Sequence, residues 1–354
     1  MAETFLQDFS PVIFRLDENF RSAKSIVRYA NSLENVDSVS NYYYEGELKA
    51  FECDNEEDEA ELIVRMIKNL KQNGHPDVEG NLRDEDFAII GRTRYSLTRI
   101  ELELQKNSIP FYYKKTINGI ECESNYMRIF DLATRVILNS SDMVHRKELY
   151  TLLGEKNIDL PFESVLNEYG LEEVIFIKQF LDDEKFDFGR ALGYLRKQFE
   201  NDSIKYADDE RYLVLSDIEM WERHWKKYCS LIPRENRNLL SFRNSIALGK
   251  TQDIAFDKGV AMLTVHMSKG LQYETVFVVG LCEGTFPDYR AVNGTEKELE
   301  QEKNNMFVAA TRAKRICYFT YPKCKMMPWG SLKIQRKSRY LNGVFVEKYV
   351  SGKD

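Results

Sequence analysis

Between Pro11 and Asn139 short apolar runs alternate with amphipathic stretches, and after Gly259 the same alternation resumes. The runs PVIFRL, LKAFEC, FAIIGRT and IPFYYK carry the β-branched and aromatic residues of strands. EEDEAELIVRMIKNL, SLTRIELELQKN and NYMRIFDLATRVIL place their apolar residues at helical spacing. Past Gly259 come VAMLTV, TVFVVGL, the polar helix TEKELEQEKNNMFVAATRAK and RICYFTY. Strands that alternate with helices in this way pair in parallel, because each helix carries the chain back to the same edge of the sheet. The fold class is therefore α/β with a parallel sheet. From Ser141 to Asp253 the strand signals vanish, and Val214, Ile218, Trp221, Trp225 and Cys229 fall on one helical stripe, as a helix core requires. An all-helical insertion thus interrupts the sheet domain: residues 1–140 and 256–354 form the sheet domain and 141–255 the insertion.

A chain of 354 residues with 43% hydrophobic content can bury two cores. Its longest apolar run, TVFVVGLC, is far shorter than the roughly 18 residues of a membrane span, and MAETFLQDFS lacks the basic start and apolar stretch of a signal peptide. A cytoplasmic protein with no membrane partner is expected. Cysteines 53, 122, 229, 282, 317 and 324 form no C-x-x-C pair and histidines 75, 145, 224 and 266 show no ligand spacing, so neither a disulfide framework nor a metal site is expected. The net charge of -7 argues against nucleic-acid binding by a broad basic surface, and any such contact has to be local. SIALGKT, Ser245 to Thr251, ends like a phosphate-binding loop, but Asn244 stands where the first glycine is needed and no buried strand precedes it. A helix ending at Gly249 explains the stretch better.

Three segments of the α/β portions carry chemistry. In LDENFRSAKSIVRYAN, Leu16 to Asn31, a polar turn presents Arg21 ahead of a helix, at the carboxyl end of the preceding strand, where open α/β sheets bind ligands. In TVHMSKGLQYETVFVVG a strand runs into a polar turn whose His266, Ser268 and Lys269 offer donors to a phosphate, with Gly270 permitting close approach. In NNMFVAATRAKRICYF the helix carrying Arg312 leads into a strand, and an arginine so placed can reach a phosphate across a cleft.

In this order the three segments resemble motifs IV, V and VI of the UvrD/Rep/PcrA family of superfamily 1A DNA helicases. The family patterns are L-x-x-N-[YF]-R-S, then T-x-H-x-x-K-G-L-E-[FY]-x-x-V-F with G-x-x-E-G-x-F-P-x-x-R, and E-E-x-R-L-x-Y-V-A-x-T-R-A. This chain has LDENFRS, TVHMSKGLQYETVF with GLCEGTFPDYR, and QEKNNMFVAATRA, and FAIIGRTRYSLTRIELELQKNSIPF is similar to a fourth family segment. The resemblance implies a RecA-like (P-loop NTPase-like) domain, 2A, split by a helical insertion, 2B. The family's P-loop and Asp-Glu pair precede motif IV, so what the chain resembles is the C-terminal half of such a helicase, an excised piece or a separate subunit. Its partners would be the N-terminal half, single-stranded DNA and single/double-strand junctions, with a protein partner on the insertion as a further expectation. ATP and Mg2+ would be the cofactors of the full-length 3′–5′ helicase, the metal held by the missing half, and this chain alone would bind neither and hydrolyse nothing.

Carried over position by position, the resemblance makes Phe20 the face that stacks on adenine, Arg21 and Arg312 the catalytic γ-phosphate arginines, and Gly270 and Gln272 part of the ATP site, Gln272 standing where the family has a ribose-binding glutamate. Phe serves for stacking, and the glutamine carbonyl still accepts a hydrogen bond. Arg92, Arg94, His266 and Lys269 would contact the DNA strand, with Arg94 replacing a family asparagine. The family's duplex-binding G-I-G turn would fall near TLLGEKN, where only Gly154 remains. A helicase-derived interaction subunit of a recombination-nuclease or antiviral defence complex is the alternative function.

Overall fold

The computed structural model describes residues 18–34, 37–114, 120, 122–168, 188–201, 206–251 and 258–351, and Phe9 besides. The expected strand PVIFRL lies outside the described residues. The chain begins with β1 (Glu18–Asn19), α1 (Lys24–Glu34), β2 (Val39–Ser40), β3 (Glu47–Cys53), α2 (Glu56–Asn73), β4 (Phe87–Gly91), α3 (Thr98–Lys106) and β5 (Phe111–Tyr113). Helices alone follow: α4 (Asn125–Leu138), α5 (Met143–Leu153), α6 (Phe162–Glu168), α7 (Phe188–Asn201), α8 (Asp208–Leu231) and α9 (Leu239–Ala247). The last part holds β6 (Val260–Thr264), α10 (Val265–Ser268), β7 (Tyr273–Val278), α11 (Tyr289–Val292), α12 (Glu296–Ala310), β8 (Ala313–Pro322), β9 (Cys324–Met326), β10 (Leu332–Ile334) and β11 (Val346–Lys348).

Seven strands from both sides of the helical stretch build one sheet in the order β11-β3-β8-β7-β4-β6-β5, and every neighbouring pair is parallel. Alternate residues of each strand serve opposite faces. Ala88, Ile90, Ala261, Leu263, Val276, Val278, Cys317 and Phe319 pack with residues of α1 and α12, including Ile26, Met306 and Ala310. Phe87, Ile89, Val260, Met262, Phe277, Ile316 and Tyr318 pack with residues of α2 and α3, including Ile63, Ile67 and Ile100. The small residues of the first face let its two helices approach closely. The chain is α/β with a parallel sheet, as the alternation requires.

The helices from α4 to α9 have their own core, in which Phe130, Phe188, Trp221, Trp225, Tyr228 and Phe242 meet edge to face or tilted. Of the stripe read from Val214 to Cys229, Val214, Ile218, Trp221 and Trp225 are buried on α8, and Cys229 is half-buried against the same core. Helix α4, which the sequence places with the first α/β stretch, contributes Met127, Phe130, Leu132 and Ala133 to this helical core. Helix α9 ends just before Gly249, whose positive φ of 67° closes the helix, and Thr251 shares a hydrogen bond with His224 at 2.8 Å; SIALGKT is a helix end. Asp217 of α8 accepts from the amides of Glu123 and Ser124 and from the Ser124 hydroxyl, while Arg290 donates to the Glu123 carbonyl, tying the helical part to the sheet part.

Beneath the carboxyl edge of the sheet, α2 buries Glu59, whose carboxylate accepts from the Thr320 hydroxyl at 2.6 Å and the Gly280 amide at 3.0 Å. Burial outweighs these two bonds and pushes the carboxyl up to about 7 from 4.5. A folded-state pKa above the unfolded one stabilises the protein below pH 4.5 and loses that contribution as pH rises through 7. Glu59→Gln, which keeps the acceptor for both donors, should therefore flatten the fall in stability between those pH values by up to about 3 kcal/mol. Urea unfolding at pH 5 and pH 8 checks this, and parallel slopes for the two proteins would contradict it.

Candidate functional site

The first candidate residues gather where β7 and β8 begin. Asn19 turns its side-chain oxygen onto the amides of Arg21 (2.9 Å) and Ser22 (3.0 Å), fixing the turn that presents Phe20 and Arg21. The buried Ser22 hydroxyl donates to the Ala313 carbonyl at 2.8 Å and the Ala23 amide to the Lys314 carbonyl, pinning this turn to the start of β8. Gly46 closes the same corner: at φ 71°, a Cβ on it would lie 2.4 Å from the Ala23 Cβ and 2.6 Å from the Arg315 carbonyl. Phe20 is 67% exposed. The turn follows β1, but in the seven-stranded sheet it sits at the amino-terminal edge, opposite to the carboxyl-end position expected for Arg21.

Arg312 stands directly before β8 and is held by backbone. Its Nε donates to the Val308 carbonyl at 3.0 Å, Nη1 to the Leu271 carbonyl at 3.2 Å and Nη2 to the Thr311 hydroxyl. In return the Tyr273 amide donates to the Arg312 carbonyl, so the segment carrying Gly270 and Gln272 is stitched to this arginine on both sides. Gly270, at φ 82°, has open space where a side chain would project, and Gln272 is exposed. Burial and then the charge of Arg21 hold the Arg312 guanidinium below its ordinary range, a sign that the two cations share one locality. Among the described residues neither arginine has a carboxylate partner. Two neighbouring cations without a carboxylate partner among the described residues, beside an exposed aromatic ring, fit the phosphates and base of a nucleotide.

The second set lies at the other edge, past the carboxyl ends of β4 and β6. Arg92 follows β4, and its guanidinium is gripped by Glu302 of α12 at 2.8 to 2.9 Å, both side chains largely buried. Glu302 also accepts from the Asp288 amide and from Asn305. Arg94 is exposed, its guanidinium 4.2 Å from the ring centre of Tyr113. His266 and Lys269 are exposed on α10 and the turn after it. Desolvation, then the charges of Arg92 and Lys269, hold the His266 imidazole below its ordinary range, so it is neutral at pH 7 and offers a directed hydrogen bond. A parallel sheet thus puts the two sets at opposite edges, with Lys269–Gln272 bridging them.

Sequence reading did not single out Glu302, Asn19 or Ser22. A glutamate within a polar helix carries no mark of burial, and only its partner Arg92, distant in sequence, reveals its role. Asn19 did carry a signal, since asparagine two residues before a turn residue favours this capping geometry. Among the described residues no three His, Cys, Asp or Glu side chains could hold a metal ion, and no helix is long and apolar enough to cross a membrane.

Comparison with known proteins identifies the family. Residues 14–323 match the family described as UvrD-like helicase C-terminal domain. The chain is 26% identical over 394 aligned residues to the ATP-dependent DNA helicase PcrA of Staphylococcus aureus (strain Mu50), covering 96% of this chain and 50% of that protein. It is 25% identical to the protein of the same name from Staphylococcus epidermidis (strain RP62A), covering 93% of this chain and 49% of the relative. The chain spans about half the length of the curated relatives it matches.

The Glu302 site makes a stability prediction. Glu302→Gln keeps the shape but leaves the largely buried Arg92 without a counter-charge, which should cost about 3 kcal/mol in urea unfolding. Replacing both partners, Arg92→Leu with Glu302→Leu, should cost less than the single change. Equal or greater loss in the double variant would show that the pair is not what holds α12 to β4.

Proposed function

The chain belongs to the UvrD-like helicase C-terminal domain family, and from that premise we propose that it is the 2A/2B part of an ATP-dependent 3′–5′ DNA helicase working in the cytoplasm. The observation that carries the proposal is the pairing of Arg21 and Arg312, without a carboxylate among the described residues, at the amino-terminal edge of the sheet. In this reading both arginines reach the γ-phosphate of ATP held mainly by a P-loop domain outside this chain, Phe20 stacks on the adenine, and Gln272 accepts from the ribose beside the Gly270 turn. Backbone tethers on Arg312 fix its planar fork, so little ordering remains to be done when charge develops on the transferring phosphoryl group. Mg2+, bound with ATP by the other half, would neutralise phosphate charge.

Arg94, His266 and Lys269 form the single-strand track at the carboxyl edge, where a neutral imidazole and two cations meet backbone phosphates. Arg92 joins them through its exposed margin, its guanidinium held by Glu302 and its charge helping to keep His266 neutral. We assign the helical unit to α4 through α9, because α4 shares its core. Its duplex role has less support, since Gly154 here is a left-handed helix end with no second glycine beside it.

In a protein that joins this chain to its P-loop half, Arg21→Ala or Arg312→Ala should lower kcat roughly a thousandfold. Single-strand binding without nucleotide should change little. Lys269→Ala should lower the slope of log K against log salt by about one, whereas His266→Ala at pH 7.5 should weaken binding without changing that slope, because the imidazole is uncharged. Steady-state ATPase and anisotropy titrations at several salt concentrations read both. An Arg312→Ala protein that hydrolyses ATP normally but no longer binds DNA would overturn the assignment.

A further inference from the structure

The helical unit contains a cavity of about 230 Å³ between α4, α8 and α9 that the proposed helicase chemistry does not use. Its apolar wall is Leu138, Trp221, Leu240, Ile246 and Ala247, and its polar wall is built on Asp131, Arg135, Asp142 and Arg243. The acids are already spent. Asp131 accepts from Arg243 at 2.7 Å and from the Arg135 Nε at 3.0 Å, and Asp142 holds His145 through its ring Nδ1 (2.6 Å) and its backbone amide. The arginines are not: Arg243 also donates to Thr134 and Arg135 meets His145, yet among the described residues no acceptor lies on the Arg243 Nε or the Arg135 Nη2. Arg243 is anchored, with its side chain 12% exposed and its guanidinium 5.6 Å from the Trp221 ring centre. At the mouth Leu240 is 55% exposed, and Met143 (48%) and Leu248 (69%) are the exposed neighbours in sequence of the lining residues Asp142 and Ala247.

We propose that this cavity receives a short segment of a partner protein in which a carboxylate side chain lies next to a leucine, methionine or aromatic residue. The apolar residue enters against Trp221 and Leu240, and the carboxylate takes the free guanidinium N–H groups of Arg135 and Arg243. The volume is below the roughly 300 to 1,000 Å³ of sites that engulf a small molecule, and suits one or two anchoring side chains. A recessed pair of arginines, charge-balanced by Asp131 and Asp142 and set behind an apolar rim, offers one carboxylate its free N–H groups but gives a duplex no net positive field to attract its phosphates. The inference is independent of the helicase reading, because it rests on α4, α8 and α9 alone.

The test uses this chain, immobilised, to select from a displayed library of random heptapeptides, with Leu240→Asp as the counter-target. Leu240 is exposed, so that variant should fold, which circular dichroism and a thermal melt verify. The best selected peptide, labelled with fluorescein, is then titrated against the unaltered chain, Leu240→Asp and Arg135→Gln, with a 20-base-pair duplex as competitor. Expected are peptides with Asp or Glu within two positions of Leu, Met or an aromatic residue, at least about tenfold weaker binding to each variant, and no displacement by duplex. Failure to enrich peptides over the Leu240→Asp counter-target, or selected peptides without a carboxylate, would overturn the proposal. Displacement by a duplex whose own binding falls with Arg135→Gln would replace the peptide with nucleic acid.

Discussion

The buried carboxylate of Glu302 is the interaction on which the layout of this molecule depends. Its side chain is 4% exposed, and burying a charge is tolerable only where donors surround it. Here the donors are the Arg92 guanidinium, the Asp288 amide and Asn305. These bonds fix the middle of α12 to the carboxyl end of β4, and the helix then runs back across the sheet to Arg312. From Glu302 to the end of α12 is about 12 Å at the rise of an α-helix. One rigid element therefore sets where Arg312, proposed to meet the γ-phosphate, stands relative to the residues proposed for the DNA strand.

Strand polarity supplies the second constraint. All seven strands run the same way, so residues that follow strands, such as Arg92 and His266, share one edge, and residues that precede them, such as Gln272 and Arg312, share the other. The Phe20–Arg21 turn joins the second group through Ser22, Ala23 and the close approach at Gly46, bonds that span most of the chain. A shift of β8 along the sheet, or a movement of α12, alters both edges together. Under the proposed function, closure on a triphosphate would pull on the same elements assigned to the DNA strand, which would couple nucleotide state to strand contact.

Much of this was legible in the sequence. The alternation of strands and helices gave the sheet and the stripe from Val214 to Cys229 gave α8, while the motif segments named Arg21, His266 and Arg312 as candidates, which the fold sets at the two edges of the sheet. What stayed hidden were relations between distant residues. The helical core claims α4 because Phe130 and Met127 find Phe188 and Trp221 there, and periodicity alone cannot say which core a buried face joins. Arg92 and Arg94 both stood as DNA candidates in GRTR, and only the fold shows that Glu302 holds the first largely buried while the second lies exposed against Tyr113. The carboxyl-end rule placed Arg21 by its preceding strand, whereas its anchors lie at the start of β8. The cavity above Trp221 has no sequence signature, because its walls come from three helices.

In the proposed function one edge of the sheet serves the nucleotide and the opposite edge the DNA. A structure of this chain joined to its P-loop half, with MgADP, aluminium fluoride and a single-stranded oligonucleotide, distinguishes the two edges. The Arg21 and Arg312 guanidiniums should lie within about 3.5 Å of the fluoride group, and the oligonucleotide backbone against Arg94, His266 and Lys269. An oligonucleotide lying against the Phe20–Arg21 turn, or an Arg312 still bonded only to the Val308 and Leu271 carbonyls with the nucleotide bound elsewhere, would contradict it.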